Sequence, residues 1–296
     1  MIKVAITGAT GFVGRHVLTA LAAHDIEVVA TVRGERPDTP QIRNVRWVTL
    51  DVASAPPNAF ELLGKPDVLI HLAWGGLPNY RALRHFEVEL PAHYAFLRQL
   101  SAAGLKSLLV AGTCLEYGLR SGALSETDPT SPITPYGFAK DTLRRQLEYL
   151  QRNGESSFAL TWARLFFMHG EGQAATSLLP QLEKAVAQGE ASFRMSGGEQ
   201  LRDYLPVNEV AAKLVALALR QQNVGIVNVC SGTPRSVRSL VEQFLQERQA
   251  KIALELGHYP YPDYEPMAFW GARDKLERAL KDSGTAQSSF SSSEPT

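Results

Sequence analysis

Three glycines spaced three residues apart, Gly8, Gly11 and Gly14, stand directly behind the apolar run Ile2 to Ile6 and lead into a helical pattern from Phe12. Glycine loses the most backbone freedom on folding, and inside a helix it costs about 1 kcal/mol relative to alanine. A chain concentrates glycines in this way where the backbone must turn tightly or approach another group closely. In "AITGATGFVG" a strand leads into a helix, the context in which backbone N–H groups and a helix N-terminus cradle phosphate. Gly8 then permits the turn, Gly11 lets the backbone approach a pyrophosphate, and Gly14 lets helix and strand pack together. Thr10, Phe12 and Val13 belong to the same predicted dinucleotide cradle.

The rest of the first half fits that beginning. Apolar, β-branched runs recur at Ile26 to Val32, Val45 to Leu50, Val68 to Leu72, Leu105 to Ala111 and Phe158 to Leu165. Continuous apolar runs predict strands of a parallel sheet covered on both faces. Helical patterns lie between them at Phe12 to Ala23, Arg81 to Ala103 and Tyr136 to Gln151, the last with Leu143, Leu147 and Leu150 at i, i+4 and i+7. This alternation predicts an α/β fold with a doubly wound parallel sheet over residues 1–170. From 171 to 282 it loosens into helical patterns (Leu178 to Gln188, Asn208 to Gln221, Ser236 to Ala250), a short strand at Val224 to Val229 and proline-rich connections. We read this as a smaller mixed α/β lobe at the carboxyl edge of the sheet, with strand and helix returns into the first domain. Residues 283–296 are serine-rich and predicted to be a disordered tail.

Thirty basic residues balance thirty acidic ones, so no overall field recruits nucleic acid or an anionic membrane. No apolar stretch is long enough to span a bilayer. The N-terminus runs straight into a strand, without a signal-peptide pattern. Cys114 and Cys230 are too few for a disulfide framework and are expected as free thiols. These features predict a cytoplasmic protein, and no metal site is expected.

Five ordered elements resemble the extended short-chain dehydrogenase/reductase family in its nucleotide-sugar branch, over residues 2 to about 280. The G-x-x-G-x-x-G cradle is the first of its features. "LDV" at Leu50 to Val52 resembles the family's strand end, which implies that Asp51 and Val52 lie against the adenine. "HLAW" at His71 to Trp74 is similar to its H-L-A-A strand end, which implies Leu72, Ala73 and Trp74 along the cofactor. "GTCLEYG" at Gly112 to Gly118 resembles its S-S/T-x-x-V-Y-G element, and "YGFAK" at Tyr136 to Lys140 its Y-x-x-x-K pair. "LRDYLPVNEVA" at Leu201 to Ala211 resembles its R-D-Y-I-H-V-x-D-V-A segment. The resemblance implies a Rossmann-type fold, a nicotinamide dinucleotide cofactor and a nucleotide-sugar substrate. By the same analogy the helices Arg81 to Ala103 and Tyr136 to Gln151 would build a four-helix bundle between the subunits of a homodimer.

The chemistry of the residues points the same way. Tyr136 and Lys140 are one helical turn apart and share a face. A free phenol, with a pKa near 10, is a poor proton carrier at neutral pH, and a neighbouring ammonium or an oxidised nicotinamide is expected to lower it. Tyr136 is then the general acid for a carbonyl that receives hydride, Lys140 restores the charge and holds the nicotinamide ribose, and Thr113 holds the same oxygen in line. At the end of the second strand, "VVATVRGE" carries Arg33 where an acid would accept both ribose hydroxyls of NAD. A guanidinium suits a 2′-phosphate, so NADP(H) is the preferred cofactor, with NAD(H) the alternative.

Departures from the family pattern narrow the reaction. Its 4,6-dehydratases carry an Asp-Glu pair directly after the active-site Thr, where this chain has Cys114 and Leu115. Glu116 follows one position late and, on an extended segment, would face the other way. Phe167 in "RLFFMHG" replaces an Asn with which epimerases seat the sugar. An "RPGD" diphosphate clamp is replaced by "DYEPMAFWG", leaving Arg202 as the expected diphosphate arginine. Thr113, Cys114, Phe167 and Arg202 are the expected substrate contacts, and His169, Trp74 and Tyr80 are further candidates for the sugar pocket. The resulting expectation is an NADPH-dependent reductase that converts a nucleotide-activated 4-keto-6-deoxy sugar into the 6-deoxyhexose. The alternatives are a nucleotide-sugar epimerase using the same triad and a non-catalytic NADP(H)-sensing module. Retention of the Tyr-Lys pair speaks against the last.

Overall fold

The computed structural model describes residues 1–34, 44–154 and 157–281; the expected tail at 283–296 lies outside the described residues. Seven parallel strands form the central sheet: β1 (Lys3–Thr7), β2 (Glu27–Val32), β3 (Val45–Thr49), β4 (Val68–His71), β5 (Ser107–Thr113), β6 (Ala159–Leu165) and β7 (Gly225–Val229). Their order is β7-β6-β5-β4-β1-β2-β3. The chain works outward from β1 to β3, returns to β4 on the other side of β1, and continues to β7. Loops after β1 and β4 therefore diverge and leave a crevice at the sheet's carboxyl edge, the ligand position of such folds.

Alternation along each strand assigns side chains to the two faces. Val4, Ile6, Val68, Ile70 and Ala163 join one core with α1 (Phe12–Leu21) and a later helix (Val207–Leu219). Ala5, Leu69, Leu160 and Trp162 join the other core with α2 (Leu90–Ala102) and α3 (Pro135–Arg152). The central strands are thus largely apolar on both faces, as the sequence predicts, with buried polar side chains such as Thr7, His71 and Arg164 toward their carboxyl ends. Strand β3, at the edge, is only half-buried, because no strand covers its far side.

Two elements differ from the sequence reading. The helical pattern expected from Arg81 begins as turns, passes through a π-helical turn (His85–Glu89) and becomes α-helical only at Leu90. Pro91 has no N–H to continue an i→i−4 ladder, which favours such a break. The strand grouped with the second lobe is β7, the outermost strand of the main sheet, paired in register from Gly225 with Thr161 to Val229 with Leu165.

The remaining later chain builds a smaller lobe. A three-stranded sheet (Phe167–His169, Leu201–Pro206, Pro234–Ser236) packs near helices Leu178–Ala187 and Val237–Glu247. Leu179, Leu182, Phe193, Met195, Leu240, Val241 and Phe244 form its core. Cys114 and Cys230 are free, buried thiols. No helix among the described residues is long and apolar enough to cross a membrane.

Candidate active site

Strand β5 ends at Thr113, whose hydroxyl accepts from the Leu115 N–H at 3.3 Å and caps a short 3₁₀ turn, Cys114–Tyr117. The segment is therefore not extended, and the argument that a one-residue shift reverses Glu116 does not hold. What removes Glu116 from the reaction is its bonding. It is fully buried, accepts from the Thr113 N–H at 2.9 Å and the Trp162 indole N–H at 2.9 Å, and meets Arg164 Nε at 2.7 Å. The acid thus ties the end of β5 to β6 and sets the height of Thr113.

Thr134 and Pro135 start α3. The Thr134 hydroxyl accepts from the Gly137 N–H at 3.1 Å, and Pro135 occupies the first turn, where its missing N–H is harmless. Tyr136 and Lys140 follow on the inward face, 9% and 1% exposed. Tyr136 carries its phenol close to the Thr113 side chain. Its N–H donates to the Tyr80 carbonyl at 3.1 Å, and its ring lies 5.5 Å from that of Tyr80 and 6.1 Å from Trp74. Lys140 Nζ donates to the Ala111 carbonyl at 2.8 Å and lies 3.9 Å from the centre of the Trp74 ring.

This environment reverses one expectation. Burial pushes the Tyr136 phenol well above its ordinary value, aided by the nearby Tyr80 and Glu116, with the Thr113 side chain pulling the other way. The neighbouring Lys140 does not offset this. The lysine is itself pushed down to about 7 by burial. Desolvation outweighs the pairwise attraction in so apolar a cage, and the ammonium is directed to Trp74 and Ala111.

The triad residues line a cavity of about 460 Å³ together with Gly8, Gly11, Phe12, Val13, Gly14, Leu72, Trp74, Tyr80, Cys114 and Phe167. A second groove of about 440 Å³ shares Gly8, Gly11, Leu72 and Trp74 with it and continues past Thr10, Ala73, Asp51 and Val52 to Arg33. The two form one cleft over the crevice, and every expected cofactor residue lines it. A dinucleotide fits the cradle on local grounds. Gly8 has φ +71°, and a Cβ there would lie 2.6 Å from the Ala73 N. At Gly14 a Cβ would meet the Gly8 carbonyl oxygen at 2.1 Å, so the loop closes only with glycine at both positions. Gly11 is the residue before α1, where the backbone N–H groups of the first turn are open. Asp51 already accepts from the Ala53 N–H at 3.1 Å through one oxygen.

The expected substrate residues separate. Thr113, Cys114, Phe167, Trp74 and Tyr80 line the cavity, while His169 lines a different one with Tyr204 and Arg235. Arg202 is 2% exposed and lines neither part of the cleft. Glu265, paired with it at 2.9 Å, lines the cavity instead. Nothing in the sequence marked Glu265, because the pairing joins residues 63 positions apart. Gln173, Ala174 and Ser177 were likewise unmarked; they sit on a loop with no motif and reach the cavity only through the fold of the second lobe.

Comparison with known proteins agrees with this geometry. The family model described as the NAD dependent epimerase/dehydratase family matches residues 4–230. A dTDP-6-deoxy-L-talose 4-dehydrogenase (NAD(+)) of Aggregatibacter actinomycetemcomitans is 30% identical over 92% of this chain and 100% of its own. A dTDP-6-deoxy-L-talose 4-dehydrogenase (NAD(P)(+)) of Kitasatospora kifunensis is 26% identical over 97% of this chain and 96% of its own. Among solved structures, MoeE5 in complex with UDP-glucuronic acid and NAD superposes with a TM-score of 0.81 at 26% identity, covering 94% of this chain and 92% of MoeE5.

Proposed function

Because the chain belongs to the NAD dependent epimerase/dehydratase family, we propose that it reduces the C4 ketone of a nucleotide-activated 4-keto-6-deoxyhexose to the 6-deoxyhexose. The observation that carries this reading is the placing of Thr113 and Tyr136 together on the wall of a cavity that runs into the glycine cradle, with Lys140 one turn further along α3. Two relatives named as 4-dehydrogenases of a dTDP-6-deoxyhexose support both the position and the sugar. The absence of an acid at Cys114 and Leu115 argues against dehydration.

A bound nicotinamide would supply hydride at the carbonyl carbon. Thr113 and Tyr136 hold the carbonyl oxygen between their hydroxyls, so that charge developing on it is met by placed donors. Burial keeps the phenol protonated at neutral pH, the form needed to donate to the alkoxide. Lys140, close to neutrality at about 7, is suited to pass a proton toward the spent phenol. Gly8, Gly11 and Gly14 would seat the diphosphate of the cofactor, and Asp51 and Val52 its adenosine end. Arg33 favours a 2′-phosphate, hence NADP(H), with NAD(H) the alternative. The outer surface of α3 and the turn before α2 expose Val88, Phe138 and Tyr149, and we assign the homodimer contact to it.

The test incubates dTDP- and UDP-linked 4-keto-6-deoxyhexoses with NADPH or NADH and follows the nicotinamide absorbance and the sugar product. Stoichiometric consumption of cofactor, abolished by Tyr136→Phe while cofactor affinity stays within about threefold, supports the reductase. Product that differs only in C4 configuration, with no net consumption, would instead establish an epimerase.

A further inference from the structure

The guanidinium of Arg202 is fully engaged inside the protein. Its Nε and Nη2 meet Glu265 Oε2 at 3.0 and 2.9 Å, and Nη1 donates to the Leu201 and Met267 carbonyls at 2.8 and 3.3 Å. Its flat faces are covered by Phe167 and Phe269, with the guanidinium carbon 5.6 and 4.8 Å from their ring centres. The side chains of the pair are 3% and 9% exposed. Of the two, only Glu265 lines the cavity that holds Thr113 and Tyr136. Oε2 is committed to Arg202, and Oε1 stands outside that pair. Burial is the main cause of the raised pKa values of Cys114 and Tyr80, both cavity-lining residues, and the nearby Glu265 charge adds to it.

We propose that Glu265 determines substrate charge: its Oε1 accepts a hydrogen bond from a neutral glycosyl hydroxyl and turns away glycosyl groups that carry a carboxylate. The inference rests on the nucleotide-sugar reading above. An acceptor-only group in a confined, largely apolar cavity rewards a hydroxyl donor. A second carboxylate at that place would face like charge with little water to screen it. The Arg202 charge offsets this only in part, and its donors are spent on Glu265 and on main-chain carbonyls, so none is left for a ligand in the cavity.

UDP-glucose and UDP-glucuronic acid, which differ only at C6, test the proposal by isothermal titration into the cofactor-loaded protein. The wild-type protein is expected to bind UDP-glucose at least tenfold more tightly, and Glu265→Gln to bring the two within about threefold, chiefly by a gain for the uronate. Because Glu265→Gln strands a buried guanidinium, the double replacement Arg202→Gln with Glu265→Gln carries the same expectation without that defect. Equal wild-type affinities, or a preference that survives both replacements, would overturn the role of Glu265. Failure of both sugar nucleotides to bind would instead remove the nucleotide-sugar reading, and this proposal with it.

Discussion

Lys140 directs its Nζ onto the indole of Trp74, 3.9 Å from the ring centre, and donates at 2.8 Å to the Ala111 carbonyl. The contact places a cation beneath an aromatic face in a cage with almost no access to water.

Burial therefore pushes the Lys140 pKa from 10.5 down to about 7. An unfolded chain holds the proton up to 10.5, so between about pH 7 and 10.5 the unfolded state binds more protons and stability rises with pH. The penalty is felt in full below pH 7 and has disappeared above 10.5. Lys140→Met, which loses activity, is expected to raise Tm by at least about 3 °C near pH 6.5, and by much less at pH 10. Thermal melts across that range decide the matter, and an equal gain at both pH values would exclude this origin.

The buried Glu116–Arg164 pair predicts a large stability effect joined to a catalytic one. Glu116→Ala strands a guanidinium that is 1% exposed and removes the acceptor of the Thr113 N–H. We expect a loss of about 3–5 kcal/mol in urea unfolding. Because Thr113 loses its anchor, turnover should also fall beyond what partial unfolding explains. A variant with native stability would show that the pair holds nothing in place.

The glycine cradle predicts a sharp distinction between two glycines of positive φ. Gly8→Ala forces a Cβ against the Ala73 backbone at a φ of +71°. Strain of that kind costs about 1–3 kcal/mol before the overlap is counted. Dinucleotide affinity, measured by fluorescence or calorimetry, is expected to drop at least a hundredfold. At Gly104, also of positive φ but with open space around it, alanine is expected to leave affinity unchanged.

Behind the cleft runs a chain of hydrogen bonds. Thr7 Oγ1 meets His71 Nδ1 at 2.8 Å, His71 Nε2 meets His93 Nδ1 at 2.7 Å, and His93 Nε2 meets Glu89 at 3.3 Å. One direction of donation satisfies every member with both rings neutral and Glu89 ionised. Burial pushes both histidines below 6.5, and the His93 and Arg84 bonds pull Glu89 down to about 2. Both histidines take up protons more readily when the chain is unfolded, so their contribution is complete above about pH 6.5 and is lost as the pH falls below it. Glu89 acts in the same sense lower down, between its free value of 4.5 and about 2. The urea midpoint should decline between about pH 7 and 5, and less steeply in His71→Asn. A flat wild-type profile would show that the rings take up protons as readily in the folded protein as in the unfolded chain.

The local grammar of this protein was legible in its residues. Continuous apolar runs marked six strands of the sheet, because a parallel sheet covered twice must be apolar on both faces. Glycine spacing marked the cradle, and an i, i+4 pair behind Thr134 and Pro135 marked Tyr136 and Lys140, since turn geometry and helix periodicity act within a few residues. Three things required the assembled chain. A strand return from the later chain was expected, but not that Val224 to Val229 would be the one to close the main sheet, because pairing with Ala159–Leu165 is a contact across some sixty residues. The phenol's acidity could not be judged from its distance to Lys140 along the helix, because burial is a property of the whole cage and outweighs one neighbour. The identity of the charge facing the cavity, Glu265 rather than Arg202, was decided by which side of a long-range ion pair the fold turns inward. Short-range sterics and periodicity are written in adjacent residues; desolvation and ion pairing depend on what the rest of the chain brings near.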